Sequence, residues 1–315
     1  MTMITLTLNP AFDVHCDCEN FKPYHESIAQ ITAKDAGGKG VNISRALTFN
    51  GVENTAVVIV GKENGEEFCK TLEKDGVTVA AVWTEGRIRE NITLHESQNP
   101  ETRISFDGFT CDEYILTQVN DKIGAVDEHT IVAFTGSIPK GVTSANVLSL
   151  LQAWKTRGAK IVIDSRSVSL DELISFKPWL IKPNKDEAES YTGKSIKTLD
   201  DVVQMAQELY ENGVENAMIS LGGDGAVLAC SQGVFYAKTP KITVKSTIGA
   251  GDSTIAGFMD GTVKGLCIES VLKRAAAYGT AACQREGTLP PLPCEIQETE
   301  KEIQVVKLKN LPVKN

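Results

Sequence analysis

Short apolar runs alternate along the chain with segments whose apolar residues return every three or four positions. Met3 to Leu8, Thr55 to Val60, Val77 to Trp83, Ile131 to Phe134, Lys160 to Ile163 and Ala217 to Leu221 have the composition of buried strands. Helical spacing runs through Val41, Ala46 and Leu47, from about Asn64 to Asp75, through Ile255, Phe258 and Met259, and along the alanine-rich stretch from Ile268 to Arg285. Strands that alternate with helices are most simply arranged as an α/β fold with a doubly wound, mostly parallel sheet flanked by helices. Two stretches break the alternation. Val14 to Lys34 and Arg87 to Phe106 are polar, short and strand-like, and neither has the length of a strand-helix unit. There is no internal repeat and no linker composition, and the tail from Leu289 is Pro-rich and then charged, so it is expected to add little chemistry.

Composition narrows the partners. The 315 residues can bury a large core as one big domain or one domain with a small appendage, and 42% hydrophobic with 23% charged residues reads as globular. A net charge of -9 disfavours nucleic acid and membrane surfaces, which carry phosphates of the same sign. Any anionic ligand must therefore meet a local positive site. The opening Met-Thr-Met-Ile-Thr-Leu has no basic region ahead of its apolar run and no stretch is long enough to cross a bilayer, so the expected compartment is the cytoplasm. Of the eight cysteines only Cys16 and Cys18 are close; with no second pair at ligand spacing, reduced thiols are expected rather than a metal site, despite nearby His15.

The richest stretch is Lys245-Ser-Thr-Ile-Gly-Ala-Gly-Asp-Ser253. Gly249, Ala250 and Gly251 permit a tight turn into a helix, and the free amides of a helix's first turn attract phosphate. Asp252 has two readings there. It either caps the helix or serves as a general base while the amides hold the charge on a transferred phosphoryl group. The stretch alone favours the cap.

Other residues carry paired readings of the same kind. Asp13, just past the first strand, is a turn carboxylate or a ligand group at a strand's carboxyl end. Gly37-Gly38-Lys39-Gly40 is not a Walker A loop, since Ala33 stands where that motif needs its first glycine; Lys39 and Asn42 could still offer a cation and an amide to a sugar phosphate. Arg87, Arg89 and Asn91 alternate and so share one face of a strand. Asp164 starts a helix or serves the site. Asn184 and Glu187 form a capping box or lie near a metal. Gly222-Gly-Asp-Gly225 lacks the third glycine of a dinucleotide fingerprint, which argues against a nicotinamide enzyme.

Ser246-Thr-Ile-Gly-Ala-Gly-Asp-Ser253, Asp35-Ala-Gly-Gly-Lys-Gly-Val-Asn42 and Lys182-Pro-Asn-Lys-Asp-Glu187 together resemble the PfkB group of the ribokinase family, in particular its 1-phosphofructokinase and tagatose-6-phosphate kinase members. The resemblance runs from Leu6 to about Gly287. It implies a single ribokinase-like domain over residues 1–315, with lid segments at about 12–35 and 86–108 that cover the sugar and pair two subunits as a homodimer. It implies transfer of the γ-phosphate of ATP, with Mg²⁺, to a hydroxyl of a ketohexose phosphate such as tagatose 6-phosphate or fructose 1-phosphate. Asp252 becomes the base and Gly249, Ala250 and Gly251 the anion hole. The acceptor falls to Asp13, Gly38, Lys39, Asn42, Arg89, Asn91 and Ser137, the nucleotide to Asn184, Ser220, Gly222, Gly225 and Thr247, and the metal to Glu187. One departure concerns the substrate: Ile28 stands where relatives usually carry a lid arginine. The rival readings are a kinase of a neutral sugar or nucleoside, disfavoured by Lys39 and Arg89, and a non-catalytic sensor, disfavoured by Asp252 and Glu187.

Overall fold

The structure is a computed structural model and describes residues 1–19, 21–96 and 101–311; parts of the two expected lid segments, at residue 20 and residues 97–100, lie outside the described residues. The chain begins β1 (Thr2–Thr7), β2 (Ala11–Asp17), β3 (Gln30–Gly37), α1 (Lys39–Phe49), β4 (Thr55–Gly61), α2 (Gly65–Lys74), β5 (Thr78–Thr84), β6 (Arg89–His95) and β7 (Thr102–Ser105). It continues α3 (Ile115–Ile123), β8 (Thr130–Thr135), α4 (Ser144–Thr156), β9 (Lys160–Asp164), α5 (Leu170–Phe176), β10 (Leu180–Ile181), α6 (Lys185–Thr192) and α7 (Leu199–Glu211). It closes with β11 (Asn216–Ser220), β12 (Ala226–Cys230), β13 (Gly233–Lys238), α8 (Ala250–Val263), α9 (Ile268–Ala282), α10 (Pro293–Glu302) and β14 (Gln304–Lys309).

Ten strands form one sheet in the order β14-β13-β12-β11-β10-β9-β8-β1-β4-β5, parallel from β5 to β11 and antiparallel from there to β14. Successive residues of a central strand serve opposite faces. Ile131 and Ala133 of β8 pack with Ile43, Ile255 and Phe258 beneath α1, α8, α9 and α10, whereas Val132 and Phe134 join Phe68, Leu151 and Trp154 on the other side. Both faces are covered, and for this reason these strands read as continuous apolar runs. The doubly wound α/β arrangement expected from the alternation is the one found.

The tail forms two further elements. After Leu292, Pro293 opens α10, and β14 pairs antiparallel with β13 at the sheet edge, so the terminal segment is structural. Its charge pattern hid an amphipathic helix that buries Ile296 and Thr299, with Ile303 buried just past its end.

Two other features bear on the site. A second sheet, β3-β2-β6-β7, stands over the carboxyl ends of the parallel strands. Behind it, α8 is fixed at its far end by Asp260, fully buried, whose carboxylate accepts from Arg274 and, at 2.7 Å, from the Tyr278 hydroxyl of α9, with Lys264 Nζ 2.9 Å away. All eight cysteines are free; Cys16 faces the core side of β2, away from His15. Among the described residues no helix is long and apolar enough to cross a membrane.

Candidate active site

Parallel strands all deliver their carboxyl ends to one edge of the sheet, and the site is assembled there. Gly249 precedes α8 with φ 78°, in the left-handed region that favours glycine. The loop is drawn in by the Thr247 carbonyl, which accepts from the Ala250 amide at 3.4 Å. A Cβ at Gly251 would lie 3.0 Å from the ammonium of Lys182, which is only 4% exposed at the end of β10. Helix amides and a buried cation thus converge on one concave spot, suited to phosphate.

Asp252 is the third residue of α8, and Gly249 is the cap, with no side-chain capping bond. The capping reading of Asp252 is therefore not what the helix shows. Its Oδ2 accepts instead from Asn42 Nδ2 of α1 at 2.8 Å. Burial pushes this carboxyl up to about 7; the charge of Asp164 adds to the rise, while the Asn42 bond, Lys39 and Lys182 oppose it. A carboxyl poised near neutrality is what a general base needs.

Lys39, at the first turn of α1, pairs with Asp164 at 3.1 Å. Burial alone would lower the Lys39 ammonium, but Asp164, Asp252 and Glu187 outweigh it and hold it above its ordinary value. Asp164 ends β9 rather than starting a helix. Glu187 closes a capping box with Asn184: its Oε2 accepts from the Asn184 amide at 3.0 Å, and its Oε1 from Arg166 Nε at 2.9 Å. Burial would raise the Glu187 carboxyl; these bonds together with Lys39 and Lys182 hold it below the ordinary value. Asn184 and Ser220 are bridge partners, and Gly222, with φ 59°, opens to empty space beside them. Gly225 behaves otherwise. A Cβ there would meet the Ala237 carbonyl at 1.9 Å, so close packing against β13 accounts for this glycine without a ligand.

The second sheet brings the remaining candidates together. Asp13 of β2 lies opposite Asn91 of β6, which donates to its Oδ1 at 2.9 Å. The same carboxylate packs onto Gly37, where a Cβ would displace its Oδ2. Gly38, with φ 127°, turns the chain from β3 into α1 above Thr7. Arg89 lies near Asp13 and Asp107; burial and the neighbouring Arg103 pull its guanidinium below the ordinary value despite those carboxylates. Ser137 accepts from Asn9 Nδ2 at 3.0 Å.

The candidates thus fall into two adjoining groups, and one of them lies apart from its expected partners. Lys39 sits with Asp164, Glu187 and Asp252, while Arg89 sits with Asp13 and Asp107. Sequence reasoning missed Arg103, 3.5 Å from Asp13, and the buried Lys182. The signal for Arg103 was the alternation of Thr102 to Ser105, which places it level with Thr93 on β6. Thr7 Oγ1, Asn9 Oδ1, Asn42 Oδ1, Asn91 Oδ1, Thr135 Oγ1 and Arg89 Nε are buried with no hydrogen-bond partner among the described residues. Arg45 Nη1, Asn54 Oδ1 and Arg285 Nε are in the same condition, so the feature is not peculiar to these residues.

Comparison with known proteins agrees. The chain is 31% identical over 286 residues to the 1-phosphofructokinase of Vibrio cholerae, covering 90% of each, and 30% identical over 282 residues to that of Bacillus subtilis, covering 90% of this chain and 92% of the relative. Phosphofructokinase-2 from Escherichia coli in complex with substrates and products superposes with a TM-score of 0.88 at 25% identity, over 96% of this chain and 99% of that one. The pfkB family carbohydrate kinase model matches residues 7–294. The chain therefore belongs to the pfkB family of carbohydrate kinases, phosphotransferases that act on a sugar hydroxyl, and its mixed α/β fold is ribokinase-like.

Proposed function

We propose that the protein transfers the γ-phosphate of MgATP to a hydroxyl of a ketohexose monophosphate, fructose 1-phosphate or tagatose 6-phosphate, giving the 1,6-bisphosphate. The observation that carries the reading is Asp252, a buried carboxyl at about 7 held by Asn42 beside a cationic helix N-terminus. The naming of the bacterial relatives as 1-phosphofructokinases supports the first of the two substrates.

In this mechanism Asp252 takes the proton of the acceptor hydroxyl as its oxygen bonds to phosphorus and the bond from phosphorus to the ADP oxygen breaks. The positive end of α8, with the Gly251 amide and Lys182 beside it, holds the equatorial charge. Asp13 and Asn91 meet sugar hydroxyls, and Arg89 and Arg103 the acceptor's phosphate, where a guanidinium gives bidentate recognition. Asn184, Ser220 and Gly222 border the nucleotide. The second sheet closes the cleft against water, which would otherwise take the phosphoryl group.

Both Glu187 oxygens are already bonded, and among the described residues no group of three or more His, Cys, Asp or Glu is arranged to hold an ion. This donor set suits Mg²⁺ carried on the phosphates and met by Glu187 through water. The ion would neutralise phosphate charge when bound.

Residues 1–315 are read as one kinase domain with lid segments at about 12–35 and 86–108, and two copies as pairing through the lid. The support is apolar exposure on that sheet, with Ile31 at 64% and Ile104 at 40%, and with Ile28 beyond it at 90%.

The decisive experiment is a panel of neutral and phosphorylated ketoses with ATP, scored by kcat/KM. Preference for a phosphorylated ketose is expected; turnover of only neutral sugars or nucleosides, or of none, would overturn the reading.

A further inference from the structure

Arg166 is a charged side chain that the mechanism above leaves without a task. It stands on the stretch that leaves β9 at the carboxyl edge of the sheet, two residues past Asp164. The backbone there is pinned: Ser165 Oγ accepts from the Ser167 amide at 3.2 Å, and Ser167 Oγ accepts from the Ile138 amide at 3.2 Å. The side chain is not. It is 77% exposed, and its one hydrogen bond runs from Nε to Glu187 Oε1 at 2.9 Å, while Nη1 and Nη2 have no hydrogen-bond partner among the described residues. A guanidinium beside a free carboxylate commonly makes two parallel bonds. Here it makes one, because the capping box already holds Glu187 Oε2 on the Asn184 amide at 3.0 Å.

The two partners are held unequally. The Glu187 side chain is 11% exposed, in the first turn of α6, and Asn184 locks the residue from both directions, its amide donating to Oε2 and its Oδ1 accepting from the Glu187 amide at 2.8 Å. Moving Glu187 would open the cap of α6. Moving Arg166 breaks only one exposed ion pair, for which water competes and which salt screens. Oε1 is also the oxygen left to face Mg²⁺ through water, since the cap closes Oε2. Two cations drawn to one oxygen repel each other, and the exposed one yields.

We propose that Arg166 is a positioning residue for the metal-nucleotide complex, a resident counter-ion that holds Glu187 Oε1 in the nucleotide-free protein and gives it up when Mg²⁺ arrives on the phosphates. The inference rests on the function proposed above, in which Glu187 meets Mg²⁺ through water. No covalent bond forms or breaks and no proton moves; one hydrogen-bond donor to Oε1 replaces another. Because the pair must be surrendered each time the metal-nucleotide binds, Arg166 sets a threshold. It weakens metal binding by the worth of an exposed ion pair, at most about fivefold, and that handicap fades as salt rises.

The test uses Mn²⁺ in place of Mg²⁺, with free ion counted by EPR. Its Kd is measured with a non-hydrolysable ATP analogue for wild type, Arg166→Ala and Arg166→Lys, at low salt and at about 0.5 M salt, alongside the Tm of each protein. Arg166→Ala should bind Mn²⁺ about three- to fivefold more tightly than wild type at low salt, Arg166→Lys should return toward wild type, and at high salt the three should agree within about twofold. Metal-free analogue should bind all three alike. A second measurement follows Arg166 itself: the arginine ¹⁵Nε signal missing from Arg166→Lys should be protected from exchange in the free protein and lose that protection with metal and analogue bound. Weaker Mn²⁺ binding by Arg166→Ala at every salt, unaltered binding with only a lower Tm, or an Nε signal that stays protected would overturn the inference, the first making Arg166 a phosphate ligand and the second a structural residue. If wild type binds no Mn²⁺ with the analogue, the metal contact at Glu187 falls and this inference with it. If the metal binds but no phosphorylated ketose is turned over, the sugar assignment alone falls, and the EPR comparison still judges Arg166.

Discussion

Asn42 and Asp252 lie 210 positions apart in the chain and meet at 2.8 Å, the amide of α1 donating to the carboxylate of α8. The bond favours the charged carboxylate, whereas burial favours the neutral acid. Their balance sets a base that is half ionised near pH 7.

Asp252→Asn should lower kcat by about 10²- to 10⁴-fold with little change in sugar KM, because the amide cannot take the proton while the cradle remains. Stability gives an independent check. The folded carboxyl titrates at about 7, against an ordinary 3.8, so the native state binds this proton more tightly than the unfolded chain and stability is lost as pH rises between the two values. Asn removes that cost, at most about 4 kcal/mol, so Tm should rise at pH 8 and stay unchanged at pH 4. A variant that keeps wild-type kcat removes Asp252 from the mechanism.

Asn42→Ala should move the acidic limb of the kcat profile to higher pH. In wild type kcat should climb with pH through about 7, falling about tenfold per unit well below it. Loss of the donated hydrogen bond raises the carboxyl further, so the same limb appears later. An unmoved limb would mean that another group sets it.

Glu187→Gln distinguishes the cap from the metal contact. Gln can still close the box on Asn184, so thermal stability should stay within about 1 kcal/mol of wild type. The lost charge should raise the Mg²⁺ concentration needed for half-maximal rate. A fall in Tm with unaltered Mg²⁺ dependence would leave Glu187 a purely structural residue.

Arg89→Ala and Arg103→Ala should each raise sugar-phosphate KM by about 30-fold, the equivalent of roughly 2 kcal/mol for a charge-assisted contact, with ATP KM unchanged. Lys39→Ala should act differently. It leaves Asp164 unpaired beside Asp252, so kcat should fall more than KM rises. Equal KM effects at Lys39 and Arg89 would restore Lys39 to the acceptor.

Much of this was written locally. The apolar runs announced the central strands because both sheet faces are covered, and Gly249 to Asp252 announced a phosphate-facing helix start because only small residues make that turn. The choice between cap and base for Asp252 turned on whether the helix begins at Gly249 or three residues later, finer than sequence fixes a helix end. The family resemblance assigns both Lys39 and Arg89 to the acceptor; only the fold shows that β9 brings Asp164 to Lys39. Arg103 depends on strand register within the lid, which no single segment encodes. Gly225 had looked like a phosphate glycine, yet the carbonyl of Ala237 alone explains it.

The Asp260 cluster lies eight residues beyond Asp252, about 12 Å along the same helix. A helix pinned there by Arg274 and Tyr278 of α9 cannot slide or rotate without exposing a buried charge, so base and cradle move as one body. We propose that the moving part during turnover is the four-stranded cover. On that proposal the helix is a fixed die and the cover a stamp, and moderate heat should blunt recognition of the sugar before it disturbs the seat of the phosphates.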